Sequence, residues 1–157
     1  MSLTYKDGVL VNAATRGDGK IGEDVTQNVK TIESVPLKTR KPLKGTVDVR
    51  GEIYITKKDF EKLNKQLEKA GEKMYANPRN LSAGSIRQLD PAMAAARPLR
   101  FVAWHLDDVG QATQTESVKR LKELGFPIVD GSTQEDLEGV KKAFEKMSKD
   151  REKYKYW

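Results

Sequence analysis

The stretch that most narrows what this chain can fold into is residues 46–55, Thr-Val-Asp-Val-Arg-Gly-Glu-Ile-Tyr-Ile. Val47, Val49, Gly51, Ile53 and Ile55 fall on one side of an extended backbone, and Asp48, Arg50, Glu52 and Tyr54 on the other. A strand of this kind must lay its apolar side on a core. It leaves Arg50 and Glu52 together on the polar side, where they line a cleft or face water. The fold therefore needs further strands beside this one and a covering layer.

Both are predicted nearby. Tyr5-Lys6-Asp7-Gly8 is a hairpin turn signal, followed by Val9, Val11 and Ala13 as the alternating face of a strand. Met1-Ser2-Leu3 is read as a leader with no weight in the fold. Thr15-Arg16-Gly17-Asp18-Gly19 then demands a loop and leaves Arg16 at a strand end. Val25, Val29 and Ile32 have helical spacing. A Lys/Pro-rich connection over residues 38–44 precedes the central strand. After it, Thr56-Lys57-Lys58-Asp59 is a variant capping box opening a helix with Phe60, Leu63, Leu67 and Ala70 on one stripe, closed by Gly71. Residues 100–106 form another strand, with Phe101, Ala103 and His105 on one face and Val102, Trp104 and Leu106 on the other. His105, the single histidine, reads as structural; a strand Trp is core by default, although an indole can also stack on a base. Thr113 with Glu116 and Thr133 with Asp136 have capping-box spacing. They open two amphipathic helices, one carrying Val118, Leu121 and Leu124, the other Leu137, Val140, Phe144 and Met147. Residues 125–129 between them are a short buried segment or strand, and residues 146–157 an extended helix or frayed end.

Residues 77–91 carry a different signal, a helix built to present cations. Asn77 caps it, Pro78 suits its first position, and Asp90-Pro91 ends it. Leu81, Ser82, Ala83, Gly84 and Ser85 allow close approach of the backbone. Arg79 and Arg87, eight residues apart, would stand roughly 12 Å apart along a continuous helix, a separation that reaches two neighbouring phosphates. The same stretch also reads as a surface helix with two solvated arginines.

Length and composition set outer bounds. The 157 residues make one domain, with a net charge of +6 that suits a polyanionic partner such as nucleic acid and equally an ordinary basic protein. Much of the excess lies between Lys141 and Lys155. Without Cys there is no disulfide or thiolate-bound zinc within the chain, and the expected compartment is the cytoplasm. Neither a transmembrane run nor a signal peptide is seen, and no membrane partner is expected. Phosphate-binding loops of the Gly-x-x-x-x-Gly-Lys and Gly-x-Gly-x-x-Gly types are missing, as are His/Cys metal clusters and Ser-His or Cys-His pairs. What remains is a set of Arg and Glu residues at strand ends and on a small-residue helix, suited to a nucleotide and phosphates.

Three motifs in order, Thr15-Arg16-Gly17-Asp18-Gly19 with Gly22-Glu23-Asp24-Val25-Thr26, then Val49-Arg50-Gly51-Glu52-Ile53, then Asn77-Pro78-Arg79-Asn80 through Asp90-Pro91, resemble the adenylation domain of bacterial NAD-dependent DNA ligases. The resemblance runs from about Thr4 to Asp107. It implies an α+β nucleotidyltransferase (ATP-grasp-like) domain of antiparallel sheets packed with helices, belonging to a bacterial, cytoplasmic and monomeric enzyme. It also implies three steps. A lysine attacks the α-phosphate of NAD and expels nicotinamide mononucleotide; the AMP passes to the 5′-phosphate of a DNA nick; the 3′-hydroxyl then displaces AMP with help from magnesium. By the same resemblance Arg16 contacts the nucleotide, and Glu52 binds ribose hydroxyls or holds a metal near the phosphate. Arg79 and Arg87 hold phosphate oxygens of AMP or of the nick, and Trp104 stands where an aromatic residue stacks on adenine. Guanidinium pairs match phosphate geometry better than lysines would.

The departures from the family pattern define what the chain is expected to do. The nucleophile of the family lies in a Lys-x-Asp-Gly motif upstream of the Arg-Gly-Asp-Gly loop, and Lys6-Asp7-Gly8 lacks the intervening residue, so Lys6 is not taken as catalytic. The later Asp-Gly-Val-Val-Ile-Lys strand and the nicotinamide-binding, OB-fold, zinc-finger, helix-hairpin-helix and BRCT regions are also absent from the sequence; zinc belongs to one of those regions. Residues 1–157 are thus expected to be part of an adenylation domain, inactive alone in self-adenylation. The alternative is a non-catalytic basic module that grips nicked or duplex DNA through Arg79, Arg87 and the Lys-rich tail. A remodelled RNA-ligase or capping-type nucleotidyltransferase is a third reading, which the 77–91 motif disfavours.

Overall fold

A computed structural model describes residues 1–19, 21–107, 113–129, 131, 132, 134 and 136–154. Four antiparallel strands form one sheet in the order β2-β1-β3-β4: β1 is Ser2–Lys6, β2 Val9–Ala14, β3 Thr46–Tyr54 and β4 Arg100–Asp107. The helices are α1 (Thr26–Val29), α2 (Lys57–Lys69), α3 (Pro78–Ile86), α4 (Pro91–Ala95), α5 (Gln114–Leu124) and α6 (Leu137–Lys149), with a 3-10 turn at Arg151–Lys153. Mixed helices on an antiparallel sheet make this an α+β fold.

Helices α1, α3 and α5 pack against one face of the sheet, with Leu63 and Leu67 of α2 in the same core. Leu3, Tyr5, Val47, Val49, Phe101 and Leu106 point into that layer and meet Val29, Leu81, Leu121 and Leu124. Tyr5 packs edge-on against Phe126 at 5.3 Å between ring centres, and its hydroxyl donates to the Pro36 carbonyl at 2.6 Å. Burial pushes the ionisation of this phenol far up. The expectation that residues 1–3 carry no weight is corrected here. Leu3 is fully buried, and the Met1 ammonium donates to the Gly51 carbonyl at 2.8 Å. The hairpin turn falls at Asp7-Gly8, with φ of 50° and 81°, so Lys6 sits at a turn tied to Gly45 through Asp7.

Two strands depart from simple alternation, and the cause is the same. Thr4 pairs with Asn12 and Tyr5 with Leu10, so Val11 is an extra residue in β2. Arg50 pairs with His105 and Gly51 with Ala103, so Trp104 is an extra residue in β4. Each bulge switches which residues face inward beyond it. Leu10 and Ala13 are therefore buried while Val9 and Val11 are exposed, the reverse of the predicted face for Val9 and Val11. In β4, Phe101 and Ala103 point inward and Trp104 outward by alternation, and the extra residue turns His105 outward as well and brings Leu106 in.

Local end signals hold where they are self-contained. Thr56 caps α2 by accepting from Asp59 N, Asn77 caps α3 by accepting from Asn80 N, and Thr113 and Glu116 form a reciprocal capping box on α5. The 77–91 stretch is not one helix. Arg87 ends α3, and Asp90 opens α4 as its cap, accepting from Ala92 N at 2.9 Å. Thr133 lies outside the described residues, and Asp136 itself caps α6 through Gly139 N. An amphipathic stripe such as that of α6 ordinarily packs on a core. Leu137 is instead 71% exposed and Phe144 72%, because no other element of the described fold covers them. Replacing Phe144 with Ser should accordingly change the denaturant midpoint by less than about 0.5 kcal/mol of stability, whereas Leu121→Ala on buried α5 should cost about 2–5 kcal/mol.

Candidate nucleotide and phosphate site

The sheet face opposite the helices is where β3 shows its polar side. Arg50 and Glu52 stand out on it, exposed, as the alternation of residues 46–55 requires. Val102 and Trp104 alternate onto the same face, and the indole is 41% exposed there, with its ring 5.9 Å from that of His105. Glu52 pairs directly with Val102, two positions before Trp104, which puts carboxylate and indole in diagonal reach at about 7–8 Å between backbones. The bulge is held from α5. Gln114 donates its amide to the Trp104 carbonyl, so its oxygen faces His105 Nδ1 at 3.2 Å, and that nitrogen carries the proton. Arg50 forms an ion pair with Asp107 at 2.9 Å.

A second cluster forms where β2 ends. Thr15 and Glu23 exchange backbone and hydroxyl hydrogen bonds at 3.0 Å, closing the loop that carries Arg16. Gly22 is required there, since a Cβ would lie 2.0 Å from the Thr15 carbonyl oxygen. Asp24 then accepts from both the Thr26 hydroxyl, at 2.6 Å, and the Thr26 amide, at 2.9 Å. These bonds, with a smaller contribution from Lys30, hold its carboxyl below the usual Asp range. A depressed folded-state value means that the carboxylate stabilises the fold above the ordinary Asp range, and that this contribution vanishes as pH falls through the depressed value. Asp24→Asn should therefore lower the urea midpoint at pH 7, with the gap to the unsubstituted chain closing in acid.

Arg87 comes to this loop from the end of α3. Its Nη1 lies 3.8 Å from a Glu23 carboxylate oxygen, and its Nε donates to the Ala83 carbonyl at 3.1 Å. Glu23, Asp24, Asn28, Arg87, Gln88 and Leu89 line an open cleft of about 460 Å³. Arg79 is elsewhere, exposed on the first turn of α3, about 12 Å along the axis from Arg87.

The structure thus puts Glu52 and Trp104 on the same open sheet face and brings Arg87 beside the Arg16 loop, while Arg79 stands apart. Ala14 aligns with Ser2, and Ser2 with Arg50, so the strand end that leads to Arg16 opens at the level of Arg50. Sequence reading missed Glu23 and Asn28 as partners of the Arg87 turn; only the acidic Glu23-Asp24 pair facing a basic motif hinted at the first.

All of residues 1–157 match the NAD-dependent DNA ligase adenylation domain family. The chain belongs to that family. Among relatives, the DNA ligase of Halothermothrix orenii is 53% identical over 129 residues, covering 80% of this chain and 19% of that protein. The DNA ligase of Chloroflexus aurantiacus is 49% identical over 142 residues, covering 82% of this chain and 20% of its own length. That of Shouchella clausii is 46% identical over 160 residues, covering 99% and 24% respectively. This stretch of adenylation domain therefore spans about a fifth to a quarter of the relatives' length. No helix among its described residues is long and apolar enough to cross a membrane.

Proposed function

We propose that this chain is a section of an NAD-dependent DNA ligase that seals nicks in duplex DNA, and that it supplies part of the nucleotide and phosphate site. The observation that carries the reading is the exposed Trp104 indole on the same sheet face as Glu52, within a chain that matches the adenylation family along its whole length. A large exposed indole beside a carboxylate fits an adenosine, the ring stacking on the base and Glu52 accepting from ribose hydroxyls. Arg16 contacts the nucleotide, and Arg79 and Arg87 hold phosphate oxygens of AMP or of the nick. Magnesium would supply charge neutralisation at the reacting phosphates, and Glu52 is the carboxylate this chain offers near it. The complete enzyme is placed in the bacterial cytoplasm as a monomer.

The chain alone is expected to be inert in self-adenylation. Its sequence has no Lys-x-Asp-Gly motif, and Lys6 ends β1 at the hairpin, paired with Thr46 at the opposite end of β3 from Glu52. Incubation with NAD and magnesium followed by intact mass should show no added AMP. A version extended to include the Lys-x-Asp-Gly and Asp-Gly-Val-Val-Ile-Lys segments should gain it. An adduct on the chain itself, lost on Lys6→Ala, would overturn the assignment. DNA binding that falls steeply with salt and ignores adenine nucleotides would replace it with a non-catalytic basic module.

A further inference from the structure

One buried carboxamide spends both of its N–H groups on the carbonyls that flank Arg87. Asn28, 5% exposed, donates to the Ile86 carbonyl at 2.7 Å and to the Gln88 carbonyl at 2.7 Å. Since both partners only accept, the amide nitrogen must face them. The bond to Ile86 satisfies a carbonyl left open at the end of α3. The bond to Gln88 lies beyond the helix and does something a helix cap does not need. It fixes the chain on the far side of Arg87, within the turn that leads to α4. Two further hydrogen bonds of this turn run back to its own helix, from Arg87 Nε to Ala83 and from Gln88 Nε2 to Gly84, each at 3.1 Å. Asn28 supplies a bond from across 58 residues of sequence.

Asn28 is itself anchored to the Arg16 loop. It lies in α1, whose first residue, Thr26, accepts from Ala13 N of β2 at 2.8 Å and donates to Asp24 at 2.6 Å. Val25 N bonds the Ala13 carbonyl at 2.8 Å. The path from the end of β2 to the backbone of Arg87 therefore runs through hydrogen bonds of ordinary length, and Glu23 meets the Arg87 guanidinium at the other end of the same loop.

We infer that Asn28 is a positioning residue for phosphate binding: it locks the Arg87 turn to the loop that carries Glu23, so that the Arg87 guanidinium is held in place for an anion. The inference rests on the reading of Arg87 as a phosphate-binding residue given above. Asn28→Asp is the diagnostic substitution, equal in size but with no donor for either carbonyl.

The test is binding of this chain to a nicked duplex carrying a 5′-phosphate, followed by fluorescence anisotropy at low salt, for the unsubstituted chain, Arg87→Ala, Asn28→Asp and the double variant. Arg87→Ala should weaken binding about tenfold. Asn28→Asp should lose most of the same factor, and the double variant should bind no worse than Arg87→Ala, because the two act as one unit. Omitting the 5′-phosphate should remove both effects. Additive losses, or a folded Asn28→Asp chain that binds like the unsubstituted one, would overturn the inference while leaving the reading of Arg87 intact. An Arg87→Ala chain with unchanged affinity would overturn that reading and the inference with it. Thermal melts establish which variants are folded. Should Asn28→Asp fail to fold, ¹⁵N spectra of the unsubstituted chain decide. Pyrophosphate should shift the Asn28 side-chain amide together with Arg87 Nε, and a shift of Arg87 alone would refute the coupling.

Discussion

Gly51→Ala should destabilise the chain by about 3 kcal/mol or more, a large share of the roughly 5–15 kcal/mol that holds a domain of this kind together. A Cβ at this position would lie 2.3 Å from Phe101 Cζ and 2.4 Å from the Val102 carbonyl oxygen. Phe101 is fully buried and its ring lies across the glycine, covering the gap that a missing side chain leaves in β3. The ring could tilt away only by pressing on a close-packed layer, and the Val102 carbonyl belongs to the strand paired with β3. The change would also strike where the β3–β4 register shifts, so the bulge that brings Leu106 into the core would be disturbed with it. Urea unfolding of the single variant should show a sharply lowered midpoint. Adding Phe101→Leu should restore part of the loss, since it removes the ring clash and leaves the carbonyl clash. A Gly51→Ala chain with an unchanged midpoint would sink the account.

Trp104→Ala should have the opposite profile, leaving stability nearly untouched and striking nucleotide use. Stacking of a base on an aromatic side chain contributes about 1–3 kcal/mol, so KM for NAD in a full-length ligase carrying this stretch should rise roughly 5- to 150-fold, while kcat for nick sealing changes little. Trp104→Phe should keep most of the affinity, because a flat apolar ring remains. Equal KM values for the Ala and Phe variants would refute stacking, and a collapse in stability would return Trp104 to the core role that a strand tryptophan ordinarily has. The partial exposure of the indole makes that second outcome unexpected.

These two residues are neighbours in the sheet, yet they were unequally legible. Gly51 and Glu52 sit on the sides of β3 that strict alternation assigns, since neighbouring side chains on a strand must point opposite ways. Alternation puts Trp104 opposite Phe101 and Ala103, but which of the two faces is buried, and the reversal of His105 and Leu106 beyond it, is decided by pairing with β3 and by the extra residue there. Val11 of β2 repeats the case. Alternation alone placed Val9 and Val11 inside; pairing with β1 turned them outward and brought Leu10 in.

What the sequence by itself determined are the features whose causes lie within a few residues: the caps at Thr56, Asn77 and Thr113, the hairpin turn at Asp7-Gly8, the polar face of β3 with Arg50 and Glu52, and the motif order that marks the adenylation family. A cap or a turn closes its hydrogen bonds locally, so a short stretch of residues suffices to specify it. What only the tertiary structure decided depends on partners far along the chain. The stripe of α6 is legible as amphipathic, but whether it is buried depends on another element arriving to cover it, and here Leu137 and Phe144 remain exposed among the described residues. The break at Arg87, its ion pair with Glu23 and its clamp by Asn28 join segments about 60 residues apart. Such bonds form only once the sheet and helices have closed the intervening loops, and the cost of that closure is met by the whole core, which no local pattern records.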